Sequence, residues 1–323
     1  MRNIIGIGET VLDIIFQDDQ PQRAVPGGST FNAMITLGRV FAHQKETPRV
    51  KMVTETGDDH IGQLITSFMQ QNHVSTELVT INPGTKSHLS LAFLDSERNA
   101  HYEFYKDHAS AQLDQERIDK VRFGADDVVV FGSFFAVNPV LRPQTHALLQ
   151  KAHNAGAILY YDINFRQSHA HDIPNIMGNL EENMKLATIV RGSAEDFGCL
   201  YGTSDPRAVY VRHIRRHCPL FICTDGDKPV HLYAPNAAAT GTFVEAVIPA
   251  ERLDSVVSTI GAGDNFNAGI IYGLIQNGWH RADLAAPTLG GENGLIGLVE
   301  HAQRFSAHVC QRIENYVDMS FQP

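Results

Sequence analysis

The chain has 323 residues, 43% of them apolar and 19% charged, with a formal net charge of -10. This length can bury one large α/β core or two ordinary ones, and the composition excludes long disorder. The acidic balance excludes nucleic acid as the main partner, because a phosphate backbone needs a basic face.

In chain order, the first strand is expected over Ile4–Ile7, preceded by no apolar targeting segment. Val11–Ala24 reads as extended and polar. Ser29 is placed to cap a helix carrying Phe31, Met34, Ile35, Leu37 and Phe41, and a strand follows over Val50–Thr54. Asp59 caps a helix with Ile61, Leu64, Ile65, Phe68 and Met69, ending near Asn72. Ser87–Tyr105 has hairpin character, with alternating Leu89, Leu91 and Phe93 before a polar Asp95–Asn99 turn.

Further strands are expected over Val128–Phe131, Ile158–Ile163, Ala187–Val190 and Leu220–Thr224. A helix from Val140 to Asn154 stops at Ala155-Gly156, and Asp205-Pro206 opens another. The apolar run Val128–Val137 is interrupted by Gly132 and Ser133 and is too short to span a bilayer. Cys199, Cys218, Cys223 and Cys310 have no C-x-x-C spacing, which suits reduced thiols. A soluble, cytoplasmic α/β protein is expected, with a doubly wound, mostly parallel sheet flanked by helices. The two β excursions would form a small sheet standing off it as a lid, from about 11–26 and 85–107, within one domain spanning 1–323.

The most informative segment is Ser258–Gly269, STIGAGDNFNAG. Gly261 and Gly263 permit positive φ and close backbone approach, and a helix follows with Phe266, Ile270 and Leu274 on one face. A glycine turn opening a helix forms an anion site. Asp264 would repel a phosphate there unless it has another role. Two readings stay open on spacing alone: a helix cap, or a base that takes the proton of an attacking hydroxyl.

Thr259–Gly269 fits T-x-G-A-G-D-x-F-x-x-G, and the chain resembles the ribokinase-like (PfkB) carbohydrate kinases. Gly27-Gly28-Ser29-Thr30-Phe31-Asn32-Ala33 resembles the family's other signature. Gly57–Gly62, Asp162-Ile163-Asn164-Phe165-Arg166 and Thr224-Asp225-Gly226 match in the family's order. Within the family, the pattern is most similar to fructokinases and ketodeoxygluconate kinases.

The resemblance implies an ATP-dependent transfer to a sugar hydroxyl, with Asp264 as the base and Gly261, Ala262 and Gly263 as the anion hole. It implies sugar contacts from Asp13, Gly27, Gly28, Asn32, Asn164 and Arg166, although D-x-N-x-R alone fits a loop salt bridge equally well. Thr224, Gly226, Thr259, Gly261 and Gly263 would hold the nucleotide, with Lys228-Pro229 where the family has a second glycine. Mg²⁺ would be held through water near Asp196 and Glu195, which stand where the family has N-x-x-E. Ser258 stands where the signature commonly has Asp, which argues against a monovalent-cation site. A homodimer through the β-lid is a further expectation of the family.

A ribokinase or nucleoside kinase of the same fold is the nearest alternative, to be decided by Tyr102, Phe104, Tyr105 and Lys106. A non-catalytic sugar or nucleotide sensor is more distant. A dinucleotide fingerprint at Gly6–Val11 fails, because its third glycine position is Val11. His169-Ala170-His171 lacks a third metal ligand and reads as a polar loop.

Overall fold

The computed structural model describes residues 2–42, 44, 48–95, 100–105, 112–239, 241–291 and 293–323. Most of the Asp95–Asn99 turn, Lys106 and the last residues of the expected lid lie outside these.

Fourteen strands are described. They are β1 (Asn3–Ile7), β2 (Val11–Gln17), β3 (Gln20–Gly27), β4 (Arg49–Gly57), β5 (Val74–Ser75), β6 (Val79–Asn82) and β7 (Leu89–Leu94). The series continues with β8 (Ala100–Tyr105), β9 (Val128–Gly132), β10 (Ile158–Asp162), β11 (Ile189–Ser193), β12 (Phe221–Asp225), β13 (Lys228–Pro235) and β14 (Phe243–Ile248).

Ten strands form the central sheet, in the order β14-β13-β12-β11-β10-β9-β1-β4-β5, with β6 also on β4. The ladders from β12 to β5 are parallel, while β12–β13 and β13–β14 are antiparallel. Successive residues of a strand face opposite sides. Ile4, Val128 and Ile158 therefore pack under helices Ser29–Phe41, Ala262–Gln276 and Leu295–Cys310. Ile5, Val129 and Leu159 pack on the other face with helices Arg142–Asn154 and Ile173–Leu186. Burial on both faces is why these strands read as unbroken apolar runs.

The second sheet has the order β3-β2-β7-β8, with β2 and β7 parallel. Its small core is Ile15, Val25 and Ala92 with Ile260 of the glycine segment. The lid thus closes directly on the turn that precedes Asp264.

Some local expectations need correction. The strand expected over Ala187–Val190 is Ile189–Ser193, because Ala187 is the C-cap of helix Ile173–Leu186. Ser29 is the first helical residue and not the cap; the cap position is Gly28, at φ 122°. Asp59 does cap its helix, accepting from the Gly62 N–H. Asp205 also caps, accepting from the Ala208 N–H, and the helix it opens runs on into a wider turn over Tyr210–Ile214. Among the described residues no helix is long and apolar enough to cross a membrane.

Candidate active site

Helix Ala262–Gln276 begins after Gly261, whose φ of 78° is left-handed. A Cβ there would lie 2.5 Å from the Asn315 carbonyl oxygen, so backbone angle and space both require glycine. Gly263 does not use the positive φ expected of it. It is helical, and a Cβ on it would meet the Arg191 guanidinium at 3.0 Å.

Asp264 is the third residue of the helix, and no side chain caps this N-terminus. Its Oδ2 accepts instead from Asn32 Nδ2 at 2.8 Å, across from the neighbouring helix. The cap reading therefore fails. Desolvation pushes the Asp264 carboxyl up to about 6; hydrogen bonds from Asn32 and Ser29 oppose the shift, and Asp162 adds to it. Asp264 is half-buried and lines a cleft. A carboxylate poised near neutrality, beside unpaired helix N–H groups, suits a base at a phosphoryl-transfer site.

Asp13 comes from β2 and is 5% exposed. Gly27, on β3, leaves room for it: a Cβ there would lie 1.9 Å from Asp13 Oδ2. Gly28 is equally constrained, since a Cβ would stand 2.4 Å from the Glu9 carbonyl oxygen. Desolvation pushes Asp13 up to about 7; the Ser90 hydroxyl and Arg166 oppose this, while Asp264 and Glu9 reinforce it. Asp13, Gly28, Asn32, Asn164, Arg166 and Asp264 line one cleft beneath the lid. Gly27 lies behind Asp13 and does not line it.

Asn164 has φ 38° and donates to Ser133 Oγ at 2.8 Å. Arg166 is half-buried, with its guanidinium carbon 5.3 Å from the centre of the Tyr102 ring. The loop salt bridge is not its arrangement, since among the described residues it makes no close ion pair. His169 lines the same cleft, stacked on Phe134 at 4.0 Å and bonded to Asp172 at 3.2 Å. It is a wall of the site.

Thr224 and Gly226 lie at the end of β12, apart from the sugar-side group. Gly226 has φ 57°, and Lys228 starts an antiparallel strand paired to Asp225. The residues that replace the family's second glycine therefore serve a tight β-turn. Thr259 is exposed one turn before the helix, its carbonyl accepting from Ala262 N–H at 3.2 Å.

Asp196 is buried in a capping box: the Ser193 N–H donates to its Oδ2 at 2.6 Å, and its own N–H donates to Ser193 Oγ. Glu195 is exposed on the same turn. Among the described residues no three acidic, His or Cys side chains are grouped to hold a metal.

Arg191, which the sequence reading gave no role, ties these parts together. It pairs with Asp162 at 3.0 Å, donates to Thr224 Oγ1 at 2.6 Å and packs on Gly263. Asp162 also accepts from Asn267 of helix Ala262–Gln276 at 2.7 Å. The available signal was a charged residue inside an apolar strand, Ile189-Val190-Arg191.

With this geometry in view, the profile of the "pfkB family carbohydrate kinase" matches residues 1–315. The chain belongs to that family. A carbohydrate kinase is a phosphotransferase acting on a sugar hydroxyl. Among relatives, a fructokinase of Rhizobium leguminosarum bv. trifolii is 25% identical over 276 residues, covering 84% of this chain and 79% of the relative. A fructokinase from Xylella fastidiosa, solved with bound ATP, superposes with a TM-score of 0.75 at 21% identity, over 96% of this chain and 92% of that one. An aminoimidazole riboside kinase from Salmonella enterica, complexed with aminoimidazole riboside and an ATP analogue, gives the same TM-score at 21% identity, over 99% and 97%. These likenesses fix the fold as ribokinase-like; the sugars they name differ.

Proposed function

We propose that this carbohydrate kinase transfers the γ-phosphoryl group of ATP to a hydroxyl of a neutral sugar, with fructose the leading substrate. The observation that carries the reading is Asp264, held by Asn32 at the start of a helix, on the floor of a cleft that the lid covers. Fructokinases among the relatives support the choice of sugar.

Asp13 and Asn32 would accept and orient sugar hydroxyls, with Asn164 and Arg166 closing the far wall. Asp264 takes the proton of the attacking hydroxyl. The N–H groups of Gly261 and Gly263 would face the charge that grows on the transferring group, and that of Ala262 would join them on giving up its bond to the Thr259 carbonyl. Thr224, Gly226 and Thr259 border the nucleotide. Mg²⁺ arriving with the nucleotide would offset charge on its phosphates, held through water by Asp196 and Glu195. The single capping bond to Asp196 Oδ2 and the exposure of Glu195 fit such an outer-sphere role. Ser258 donates no carboxylate to a monovalent cation; its Oγ accepts from the Ile260 N–H at 3.2 Å.

The test is ADP release with MgATP over fructose, ribose, tagatose, 2-keto-3-deoxygluconate, glucose and adenosine. Fructose turnover well above the rest is expected, and abolished by EDTA. Turnover on adenosine or ribose instead would make this a nucleoside kinase or ribokinase of the same fold, and ATP binding with no turnover on any sugar would favour a sensor.

The assembly proposed is a homodimer packed through the lid, in the cytoplasm. Light scattering at micromolar concentration should give twice the chain mass; a monomer would remove the dimer.

A further inference from the structure

After helix Leu295–Cys310 the chain returns to the cleft, and its four residues Glu314–Val317 contact the small sheet, Asp13, the Gly261 turn and helix Ser29–Phe41. Asn315 is fully buried, although it has a polar side chain on a terminal segment. Its Nδ2 donates to Asp13 Oδ2 at 3.2 Å. Its carbonyl oxygen accepts from Asn265 Nδ2 at 2.8 Å and lies where a Cβ on Gly261 would be. The same Asn265 amide also donates to the Gly261 carbonyl at 2.8 Å, so one side chain clamps both backbones.

The flanking residues hold this contact in place. Glu314 pairs with Arg23 of the lid at 2.6 Å. Arg39 lies 4.7 Å from the Tyr316 ring and donates to the Val317 carbonyl at 2.7 Å. The Val317 N–H donates to Thr36.

The arrangement repeats on the two carboxylates. Asn32 gives one amide N–H to Asp264, Asn315 gives one to Asp13, and in each amide the Oδ1 is buried without a partner. An unpaired buried carbonyl is unfavourable by about 1–3 kcal/mol, so neither amide is placed there for stability alone.

We propose that Asn315 is a positioning residue, which holds the sugar-side carboxylate of Asp13 as an oriented acceptor and links it through its own backbone to the anion turn at Gly261. This rests on the sugar-kinase reading for Asp13. The charged and titratable groups facing Asp13 are Glu9, Asp264, Arg166, Tyr102 and Tyr316. Only Arg166 among them is a cation, so the Asn315 amide adds to the Ser90 hydroxyl as a neutral donor to the carboxylate. With the donor lost, the Asp13 carboxylate is less favoured, and it titrates at higher pH.

The experiment uses full-length N315A, D13N and the double variant. In wild type and N315A, ¹³C-carboxyl titration of Asp13, assigned through D13N, is read without sugar. N315A is expected to titrate about one pH unit higher and to raise KM for fructose about fivefold at pH 7, with KM for ATP within about twofold. The KM defect should fade at pH 9 and should be absent when N315A is added to D13N. An unshifted titration, or equal loss from N315A with and without Asp13, would make Asn315 mere packing and overturn the proposal. If wild type turns over no sugar, the kinase reading fails, and the titration still decides whether Asn315 sets Asp13.

Discussion

The two halves of the cleft are built in opposite ways. On the sugar side, Asp13 and Asn32 are 5% and 3% exposed and sit within regular elements. Their neighbours are shaped to atomic clearance, as the contact a Cβ on Gly27 would make with Asp13 shows. On the nucleotide side, Gly226, Lys228 and Thr259 are exposed, and the frame is an antiparallel edge with a two-residue turn. Desolvation makes the sugar side an expensive place for carboxylates and a strong one for hydrogen bonds. Under the proposed reading, selectivity for the sugar and reactivity of its hydroxyl would belong to the buried half, and exchange of nucleotide to the open one.

The largest test of this contrast is Asp264→Asn. Asparagine keeps the size and a partner for Asn32 but cannot take a proton, so kcat should fall about a hundredfold or more with KM for ATP little changed. Wild-type turnover in the variant would return Asp264 to a structural role. Thermal unfolding of the same variant adds a smaller readout. The folded carboxyl titrates near 6, above its ordinary value, so wild type holds a proton that the unfolded chain releases between about pH 4 and 6. Its contribution is greatest below that window and is lost as pH rises through it. At pH 8, D264N should therefore melt at or above wild type, by up to about 4 °C.

The next effect in size is expected at the joint between the halves. Gly261→Ala introduces a strained left-handed alanine and a clash with the Asn315 carbonyl, unfavourable by about 1–3 kcal/mol. If the clash displaces the anion turn, kcat should drop about tenfold. Steady-state kinetics at saturating sugar and ATP would show it. A rise in sugar KM as large as the fall in kcat would mean that the halves move together, and that the contrast is overstated.

Much of the candidate site was legible because it lies in compact segments. Asp264, Gly261, Gly27, Gly28 and Asn32 sit in two short glycine-bearing motifs, and Asn164 and Arg166 in a third. The unbroken apolar runs around Ile4, Val128 and Ile158 announced strands covered on both faces. What stayed hidden were residues acting across the fold. Arg191 and Asn315 were given no role, because their partners Asp162, Thr224 and Asp13 are distant in the chain. Strands β13 and β14 were missed because their half-exposed faces break the apolar pattern.

The sequence alone determined which residue types stand at each turn, because local backbone needs are met within a few positions: left-handed φ at Gly261 and Gly226, caps at Asp59 and Asp205. It also determined the strand–helix alternation, and with it the layered α/β architecture. Tertiary structure alone decided that Asp264 is presented to a cleft and caps nothing, since that depends on Asn32, 232 residues away. It likewise decided that Asp13 meets Asn315 across 302 residues. Such pairings follow from how sheet, lid and terminal segment pack together, and no local pattern in the chain encodes them.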